Sequence, residues 1–403
     1  MKYLYGLGAL ILLAIGLVAF SSIDRIDRAI TISSLFNGEE QYNNFPRMYE
    51  MFPSTKMSPA ETPFVFPKGE TVSLPESFSY AGKNWKTIEF LELTDSAALL
   101  VLKNGKIIHE QYRLTGGPDI QWLSMSVAKS FISALIGIAI EEGHIQSIEE
   151  PITQYVPELK GSAYDGVRIK DILQMSSGAR WNEDYGDPDS DINRFGRVFA
   201  LGDSMNEFTA TLENELEPGT YNRYNSTDTQ ALGMLLTNAT GRTITDYMTE
   251  KLFHPMGAAY NGYWLTDDSK MEMAFGGLNL TAIDYAKLGE IYRLGGAFNG
   301  KQIVPASWVK ASVTPDAPHL MPGPNDKSSF PLGYGLQWWV PEGNDGEFTA
   351  IGVYNQFIYV APKSGFTIVK LSANSAYATS EDGSSDLEFE TIELFRAIVD
   401  ANK

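Results

Sequence analysis

The stretch that decides the fold is Trp122–Ile140, WLSMSVAKSFISALIGIAI. Its one charged residue is Lys129, which follows Ser126 by three positions. After Lys129 the sequence is apolar nearly all round a helix, and this pattern predicts a buried helix. Burial lowers the pKa of a lysine, and a neutral amine one turn from a hydroxyl can take its proton. The stretch therefore predicts Ser126 as a nucleophile with Lys129 as its base. The alternative is that Lys129 extends its ammonium to solvent.

The same Ser-x-x-Lys spacing occurs at Ser307 and Lys310. The spacing alone is a weak signal, because a chain of this length should contain one or two by average composition. Pro305 precedes this second pair, and the pattern there predicts the start of a surface helix with a solvated lysine.

Composition excludes several classes of function. The chain has 403 residues, 31 basic and 50 acidic, and a net charge of −19. Nucleic acid is excluded as a partner, because phosphate binding needs a basic surface. The absence of cysteine excludes disulfides and thiolate chemistry, and four unpaired histidines argue against a metal site. We therefore expect no metal and no cofactor.

Residues 3–20 form an uncharged apolar segment that follows Lys2. Its length reaches the lower range of a membrane span, and no Ala-x-Ala cleavage site is evident. We predict that residues 1–22 anchor the chain in a bacterial cytoplasmic membrane, with the rest facing the periplasm. The alternative is a cleaved signal segment, which would leave a periplasmic protein.

The remaining sequence indicates an α+β protein. Residues 23–80 are predicted to be an extended Pro-rich arm, and 81–403 a single catalytic domain. Strand patterns occur near both ends of that domain, at 97–102, 107–112, 334–340, 356–360 and 366–371, and a terminal helix is predicted at 386–399. We expect an antiparallel sheet from 81–118 and 276–403, flanked by helices, and an all-helical lobe from 119–275.

A second chemical feature lies at Tyr224. It follows the Pro218-Gly219 turn and precedes a helical pattern, so its phenol can point into a cleft. Beside a lysine, a phenol can relay a proton to a leaving group. The alternative is a packed loop aromatic.

Six motifs occur in an order that resembles a known family. They are Asn104-Gly105-Lys106, Ser126-Val127-Ala128-Lys129, Leu173 to Gly178 with Trp181 to Tyr185, Pro218-Gly219-Thr220 through Gln230, Gly276-Gly277-Leu278, and Gly352 to Gln356 continuing through Pro362. The chain resembles the serine hydrolases with the β-lactamase/transpeptidase-like, penicillin-recognising fold. These include class C β-lactamases, D-alanyl-D-alanine carboxypeptidases and esterases. It is most similar to the 6-aminohexanoate-dimer hydrolase type of amidase and esterase.

This resemblance implies roles for individual residues. Ser126 would be acylated, Lys129 would be its base, and Tyr224 would shuttle protons. The backbone amides of Ser126 and Val353 would form the oxyanion hole. The resemblance also places Tyr185, Ser226 and Gly352 at the substrate.

Several residues near these motifs have structural interpretations. Tyr185 has the alternative of a rim aromatic. Glu183 and Asp184 are interpreted as a solvated loop edge, and Trp338 with Trp339 as sheet packing.

The third motif departs from the family. Where relatives carry Lys-Thr-Gly or His-Thr-Gly, this chain has Ala350-Ile351-Gly352, so the cation that holds a β-lactam or peptide carboxylate is missing. We therefore expect a serine hydrolase of small esters or linear amides. The alternatives are a peptidoglycan D-Ala-D-Ala carboxypeptidase and a non-catalytic, membrane-tethered sensor or binding protein of the same fold.

Overall fold

The computed structural model describes residues 35–36, 41–343, 345–380 and 383–403. Its strands are β1 Ser54–Met57, β2 Ser77–Tyr80, β3 Lys83–Lys86, β4 Ser96–Lys103, β5 Lys106–Tyr112, β6 Trp122–Leu123, β7 Gly262–Leu265, β8 Leu278–Leu280, β9 Ala297–Phe298, β10 Lys301–Gln302, β11 Gly333–Tyr334, β12 Trp339–Val340, β13 Phe348–Gly352, β14 Gln356–Ala361 and β15 Phe366–Ser372. Its α-helices are α1 Met48–Met51, α2 Thr87–Leu93, α3 Ala128–Glu141, α4 Ile169–Leu173, α5 Asp191–Leu201, α6 Met205–Thr209, α7 Ser226–Thr240, α8 Ile244–Met248, α9 Ala282–Arg293, α10 Ala306–Ser312 and α11 Glu388–Ala401.

Seven strands form one antiparallel sheet in the order β11-β12-β13-β14-β15-β4-β5. Strand β15 lies beside β4 with Val369 opposite Leu100, so the sheet joins two distant parts of the chain. Such pairing is what strand patterns near both ends of the domain predict. The expected α+β architecture with an antiparallel sheet and helices is confirmed.

The two faces of this sheet bury different cores. Leu100 and Val369 belong to the cluster that also contains the buried side chains of α3. Their neighbours along the strands, Val101 on β4 and Ile368 on β15, belong to a different cluster. That cluster also contains Phe395 of α11. Side chains alternate between faces with a period of two, so each strand supplies both cores. The first of these cores supports the start of α3.

A second antiparallel sheet corrects the prediction of an all-helical segment at 119–275. It has the order β1-β7-β8-β6, and both β6 and β7 lie within that segment. Strand β6 has two residues and β7 has four, which is too short to give a clear periodic signal. Their partners are far away in sequence, as in the pair Trp122 and Leu280.

The predicted single strand at 334–340 is also wrong. The chain forms the short strands β11 and β12, with a turn between them in which Gln337 has a φ of 63°. The Gln337 side chain donates a hydrogen bond to the carbonyl oxygen of Leu173 at 2.9 Å. This left-handed backbone, held by a buried amide, interrupts the strand.

The arm is less extended than its proline content suggests. Phe45 and Met48 are buried in short helical turns, Phe52 is buried directly after them, and β1 pairs with β7. These large apolar side chains favour burial over an extended path. The predicted membrane segment, residues 3–20, lies outside the described residues. Across the part of the chain that is described, no helix has the length and apolar character needed to span a membrane. The membrane anchor therefore stays a prediction.

Candidate active site

Ser126 lies at the turn that leads into α3. The residue before it, Met125, has a φ of 46°, which is rare for a side chain of this type. Strained backbone of this kind concentrates at functional sites. Ser126 is 6% exposed and lines an open cleft. The turn thus presents the Ser126 hydroxyl to the cleft just before a buried helix.

Lys129 lies on the first turn of α3 and is 2% exposed. Its Nζ is 2.8 Å from Ser126 Oγ, 3.1 Å from Ser226 Oγ and 3.1 Å from the carbonyl oxygen of Phe275. Burial lowers the pKa of Lys129 to about 7, while the negative charges of nearby acidic side chains oppose part of that shift. The structure therefore contradicts the alternative of a solvent-extended ammonium.

The three contacts of Lys129 determine where its lone pair points. The carbonyl of Phe275 can only accept a hydrogen bond. The hydroxyl of Ser226 donates to Glu183 Oε1 at 2.6 Å, so its oxygen is free to accept one from Lys129. A neutral amine has two N–H groups, and these two acceptors use both. Its lone pair is then left for the Ser126 hydroxyl.

Glu183 is the site residue that sequence reasoning missed. Instead of lying in solvent, it accepts hydrogen bonds from Ser226 N at 3.0 Å, Ser226 Oγ and Tyr185 OH at 3.0 Å, and also from Trp181 Nε1. A glutamate in a polar loop is usually solvated, and the contact that ties Glu183 to the site comes from Ser226, which is 43 positions away in the sequence. Its one sequence signal is its place between Trp181 and Tyr185 in a motif that resembles the family.

Tyr224 lies against the Lys129 side chain. The Nζ of Lys129 is 5.0 Å from the centre of the Tyr224 ring. Burial raises the pKa of the Tyr224 phenol well above its usual value, and a hydrogen bond with the Ser126 side chain acts in the opposite direction. Trp339 stacks on the ring with a centroid separation of 5.2 Å and also lines the cleft. Trp339 thus holds Tyr224 in place, whereas Trp338 is buried in the core.

Tyr185 is connected to the site by a hydrogen bond to Glu183 rather than by a contact with Lys129. Its phenol donates to Glu183 Oε1, and its ring lines the cleft. Burial raises the pKa of Tyr185, and the Glu183 charge adds to that rise. The phenol is therefore neutral throughout the physiological range and available as a hydrogen-bond donor.

The loop that carries Tyr224 is fixed by Asp228. This buried carboxylate accepts hydrogen bonds from Ser177 Oγ at 2.7 Å, Tyr164 OH at 3.0 Å and Asn225 Nδ2 at 3.0 Å. Burial raises the pKa of Asp228 to about 8, and the hydroxyl donors oppose the rise. Two motifs that are separate in sequence therefore meet at one carboxyl group.

Gly352 brings the end of β13 against the nucleophile turn. A Cβ atom on Gly352 would lie 2.6 Å from the Ser124 carbonyl oxygen, closer than real Cβ atoms approach, and 3.0 Å from Ser126 N, which is also a tight contact. Only glycine allows this approach. Val353 follows at once and lines the cleft with Ser126. The Gln356 side chain donates to the carbonyl oxygens of Val353 and Tyr354, which fixes this turn.

The cleft over Ser126 has a volume of about 560 Å³ and an acidic wall. Its carboxylates are those of Glu183, Asp184, Asp187, Asp386 and Glu388, and no lysine or arginine is among its described lining residues. Burial raises the pKa of Glu388 to about 7. On the third motif, Ala350 is buried in the core and Ile351 lines the cleft instead.

The second Ser-x-x-Lys pair is separate from this site. Ser307 and Lys310 are both exposed on α10, as the sequence predicts. Within the described residues, no group of three or more histidine or acidic side chains is arranged to hold a metal ion.

Comparisons with known proteins agree with this geometry. The β-lactamase family model matches residues 91–391. A 6-aminohexanoate-dimer hydrolase from Paenarthrobacter ureafaciens is 32% identical over 291 residues, which cover 70% of this chain and 74% of that protein.

Solved structures show the same fold at lower identity. A Bacillus anthracis protein named as a candidate 6-aminohexanoate-dimer hydrolase superposes with a TM-score of 0.81 at 22% identity, over 91% of this chain and 96% of its own. A D-stereospecific amidohydrolase from Streptomyces superposes with a TM-score of 0.55 at 16% identity, over 77% and 95% of the two chains. The chain belongs to the β-lactamase family and is a hydrolase of its serine type.

Proposed function

We propose that this chain hydrolyses a small carboxylic ester or linear amide through an acyl-enzyme formed on Ser126. The observation that carries the proposal is the position of the buried Lys129 amine, 2.8 Å from the Ser126 hydroxyl. Its lowered pKa of about 7 leaves a large fraction neutral near physiological pH. A base with a pKa close to the working pH is well matched to general base catalysis.

Each step then has a residue to perform it. Ser126 Oγ attacks the carbonyl carbon as its proton passes to Lys129 Nζ. The backbone amides of Ser126 and Val353 stabilise the oxyanion. Tyr224 hands the proton to the departing alcohol or amine, and Tyr185 contacts an amide nitrogen. Water then attacks the acyl group, which releases the acid and restores the Ser126 hydroxyl.

Glu183 positions this machinery without touching the reacting atoms. It holds the Ser226 hydroxyl as an acceptor for one N–H of Lys129 and holds the Tyr185 phenol at the rim of the cleft. Ser226 and Gly352 are likewise supporting residues in this scheme.

The acidic cleft disfavours carboxylate-bearing substrates. A β-lactam or a D-Ala-D-Ala peptide carries a carboxylate, and the described cleft wall offers it no lysine or arginine. A charge-assisted hydrogen bond contributes about 1.5–3 kcal/mol, so its absence should weaken recognition by roughly one to two orders of magnitude. A neutral ester or amide does not need that contact.

The test compares kcat/KM for p-nitrophenyl butyrate, a 6-aminohexanoate dimer and nitrocefin on one preparation. We expect the ester, which carries no carboxylate, to exceed nitrocefin by at least about tenfold. The dimer carries a carboxylate on its leaving amine, so its turnover tests whether the acidic cleft disfavours that group as well. Nitrocefin turnover equal to that of the ester would contradict the substrate class. A chain that turns over none of the three and is not labelled by a fluorophosphonate would be a non-catalytic binding protein.

A variant of Ile351 sharpens this test, because Ile351 lines the cleft where Ala350 does not. Ile351→Lys should raise kcat/KM for nitrocefin by roughly tenfold by supplying the missing cation. Ile351→Met is the uncharged control of similar length and should show no such rise. An equal gain in both variants would mean that the shape of the side chain, rather than its charge, causes the rise in nitrocefin turnover.

A further inference from the structure

A second cavity opens at the nucleophile on the side away from Tyr224. Its volume is about 890 Å³, and Ser126 and Val353 line it together with a mostly apolar wall. That wall includes side chains from the arm, from β6 and from α5, among them Met48, Phe52, Leu123, Ile192 and Phe199. Pockets of this size and character are typical of small-molecule sites.

The position of Tyr224 indicates which part of a substrate each cavity receives. Tyr224 lines the acidic cleft and does not line the apolar cavity, whereas Ser126 and Val353 line both. A proton donor has to lie beside the group that leaves. The leaving alcohol or amine therefore lies in the acidic cleft, and the acyl group that stays on Ser126 extends into the apolar cavity.

The two cavities also differ in the charge of their lining residues. The acidic cleft has five carboxylates among its described lining residues. Among the described residues of the apolar cavity there is no aspartate or glutamate, and its one charged side chain is the exposed Arg197. An ammonium at the far end of an acyl chain would find no carboxylate among these described residues, and burying an ammonium against apolar side chains without a partner is costly.

We propose that the apolar cavity is the acyl subsite and that it takes an uncharged, medium-length alkyl acyl chain in preference to one that ends in an ammonium. The inference rests on the proposed serine hydrolase function. On this proposal the chain does not prefer a 6-aminohexanoyl acyl group. That is the acyl group implied by the name of its 32%-identical relative.

Gly196 is a position at which a substitution can change the space available in the cavity. It lies on α5 and lines the cavity, and a Cβ atom placed on it meets nothing within 4 Å. A side chain at this position therefore has free space around its Cβ atom. Gly196→Phe adds a bulky ring at the cavity wall, and Gly196→Ala makes the same backbone change with only one methyl group.

The experiment measures kcat/KM for p-nitrophenyl acetate, butyrate, hexanoate, octanoate and 6-aminohexanoate. We expect a rise of roughly threefold for each added methylene up to the octanoate, because each CH₂ leaves water for an apolar wall. The hexanoate should exceed the 6-aminohexanoate by about tenfold or more. In Gly196→Phe the ratio of octanoate to acetate should fall by about tenfold or more, and in Gly196→Ala it should stay within about twofold of wild type.

Two results would overturn the proposal. One is a wild-type series that does not rise with chain length, and the other is a 6-aminohexanoate rate equal to or above that of the hexanoate. Both need only the wild-type protein, so the proposal stays open to refutation even if Gly196→Phe does not fold. Suppose that Ser126→Ala loses all turnover while the wild-type series is flat. The acyl-subsite assignment would then be wrong, and the proposed hydrolase function would remain. Acetate turnover that persists in Ser126→Ala would remove the proposed function itself.

Discussion

Two helices of this protein begin with the same Ser-x-x-Lys spacing and differ in their surroundings. At the start of α3, Lys129 is 2% exposed and its three nearest polar partners are a serine hydroxyl on either side and a carbonyl. On α10, Ser307 and Lys310 are both exposed. The spacing brings a hydroxyl and an amine to one helix face in both places. Only burial turns the amine into a base at neutral pH, so burial carries the chemistry.

The largest effect should come from removing the buried amine. Lys129→Met keeps an unbranched side chain but has no lone pair for the Ser126 proton, so kcat/KM for p-nitrophenyl butyrate should fall by about 10³ or more. Lys310→Met, the matched change on α10, should stay within about twofold of wild type. Equal losses in the two variants would contradict the comparison.

The same variant tests the energetic side of burial. Below about pH 7 the folded protein has to hold a buried ammonium at Lys129, whereas the unfolded chain keeps it solvated up to its ordinary pKa of 10.5. This destabilisation is fully present below pH 7 and disappears as the pH rises to 10.5. Lys129→Met should therefore have a Tm at pH 6 that is not below wild type. Its advantage should shrink towards pH 10, as thermal melts at a series of pH values would show. A Tm lowered by many degrees at pH 6 would mean that Lys129 stabilises the fold.

A smaller loss is expected at Tyr224. Tyr224→Phe keeps the stack on Trp339 but removes the hydroxyl that hands the proton to the leaving group. We expect kcat/KM to fall by about 10²–10³ for a linear amide, whose nitrogen has to be protonated before it leaves. The loss should be smaller for p-nitrophenyl butyrate, because p-nitrophenolate departs without a proton. Equal losses on both substrates would assign Tyr224 a different role.

The smallest effect should be a shift in the pH profile of Glu183→Gln. Wild-type kcat/KM should fall as the pH drops below about 7, because protonation of Lys129 removes the base. The Glu183 charge raises the pKa of Lys129, so its removal should move this acidic limb to lower pH. The pH dependence of p-nitrophenyl butyrate hydrolysis measures the shift. Glu183→Asp keeps the charge and should leave the limb closer to its wild-type position. A limb that moves to higher pH would contradict this account of the site.

The main residues of the site could be predicted because their signals are local. The apolar helix after Lys129 implies burial, and one helical turn separates it from Ser126. Glu183 could not be predicted in the same way, because its hydrogen bonds to Ser226 join residues that are 43 positions apart. The substitution of Ala350 for a cation was visible in the sequence. The structure was needed to show that Ile351, rather than Ala350, lines the cleft, because this depends on which face of β13 points towards the cleft.

The fold was predictable to a similar depth. The strands β4 and β15 have eight and seven residues, long enough for their apolar and β-branched content to be recognised, and they pair in one sheet. The strands β6, β7, β11 and β12 have two to four residues each, so their periodicity is too short to detect. They form because distant segments supply their partners. The acyl subsite depends on the same kind of long-range packing, since the arm residues Met48 and Phe52 form part of its wall.

The most direct test of the central claim is covalent labelling of the two serines. Wild-type protein, Ser126→Ala and Ser307→Ala are each treated with a fluorophosphonate probe, and intact mass gives the number of adducts per chain. The account predicts one adduct on wild type and on Ser307→Ala and none on Ser126→Ala, with melting temperatures close to wild type in both variants. Labelling that persists in Ser126→Ala, or that disappears only in Ser307→Ala, would contradict it.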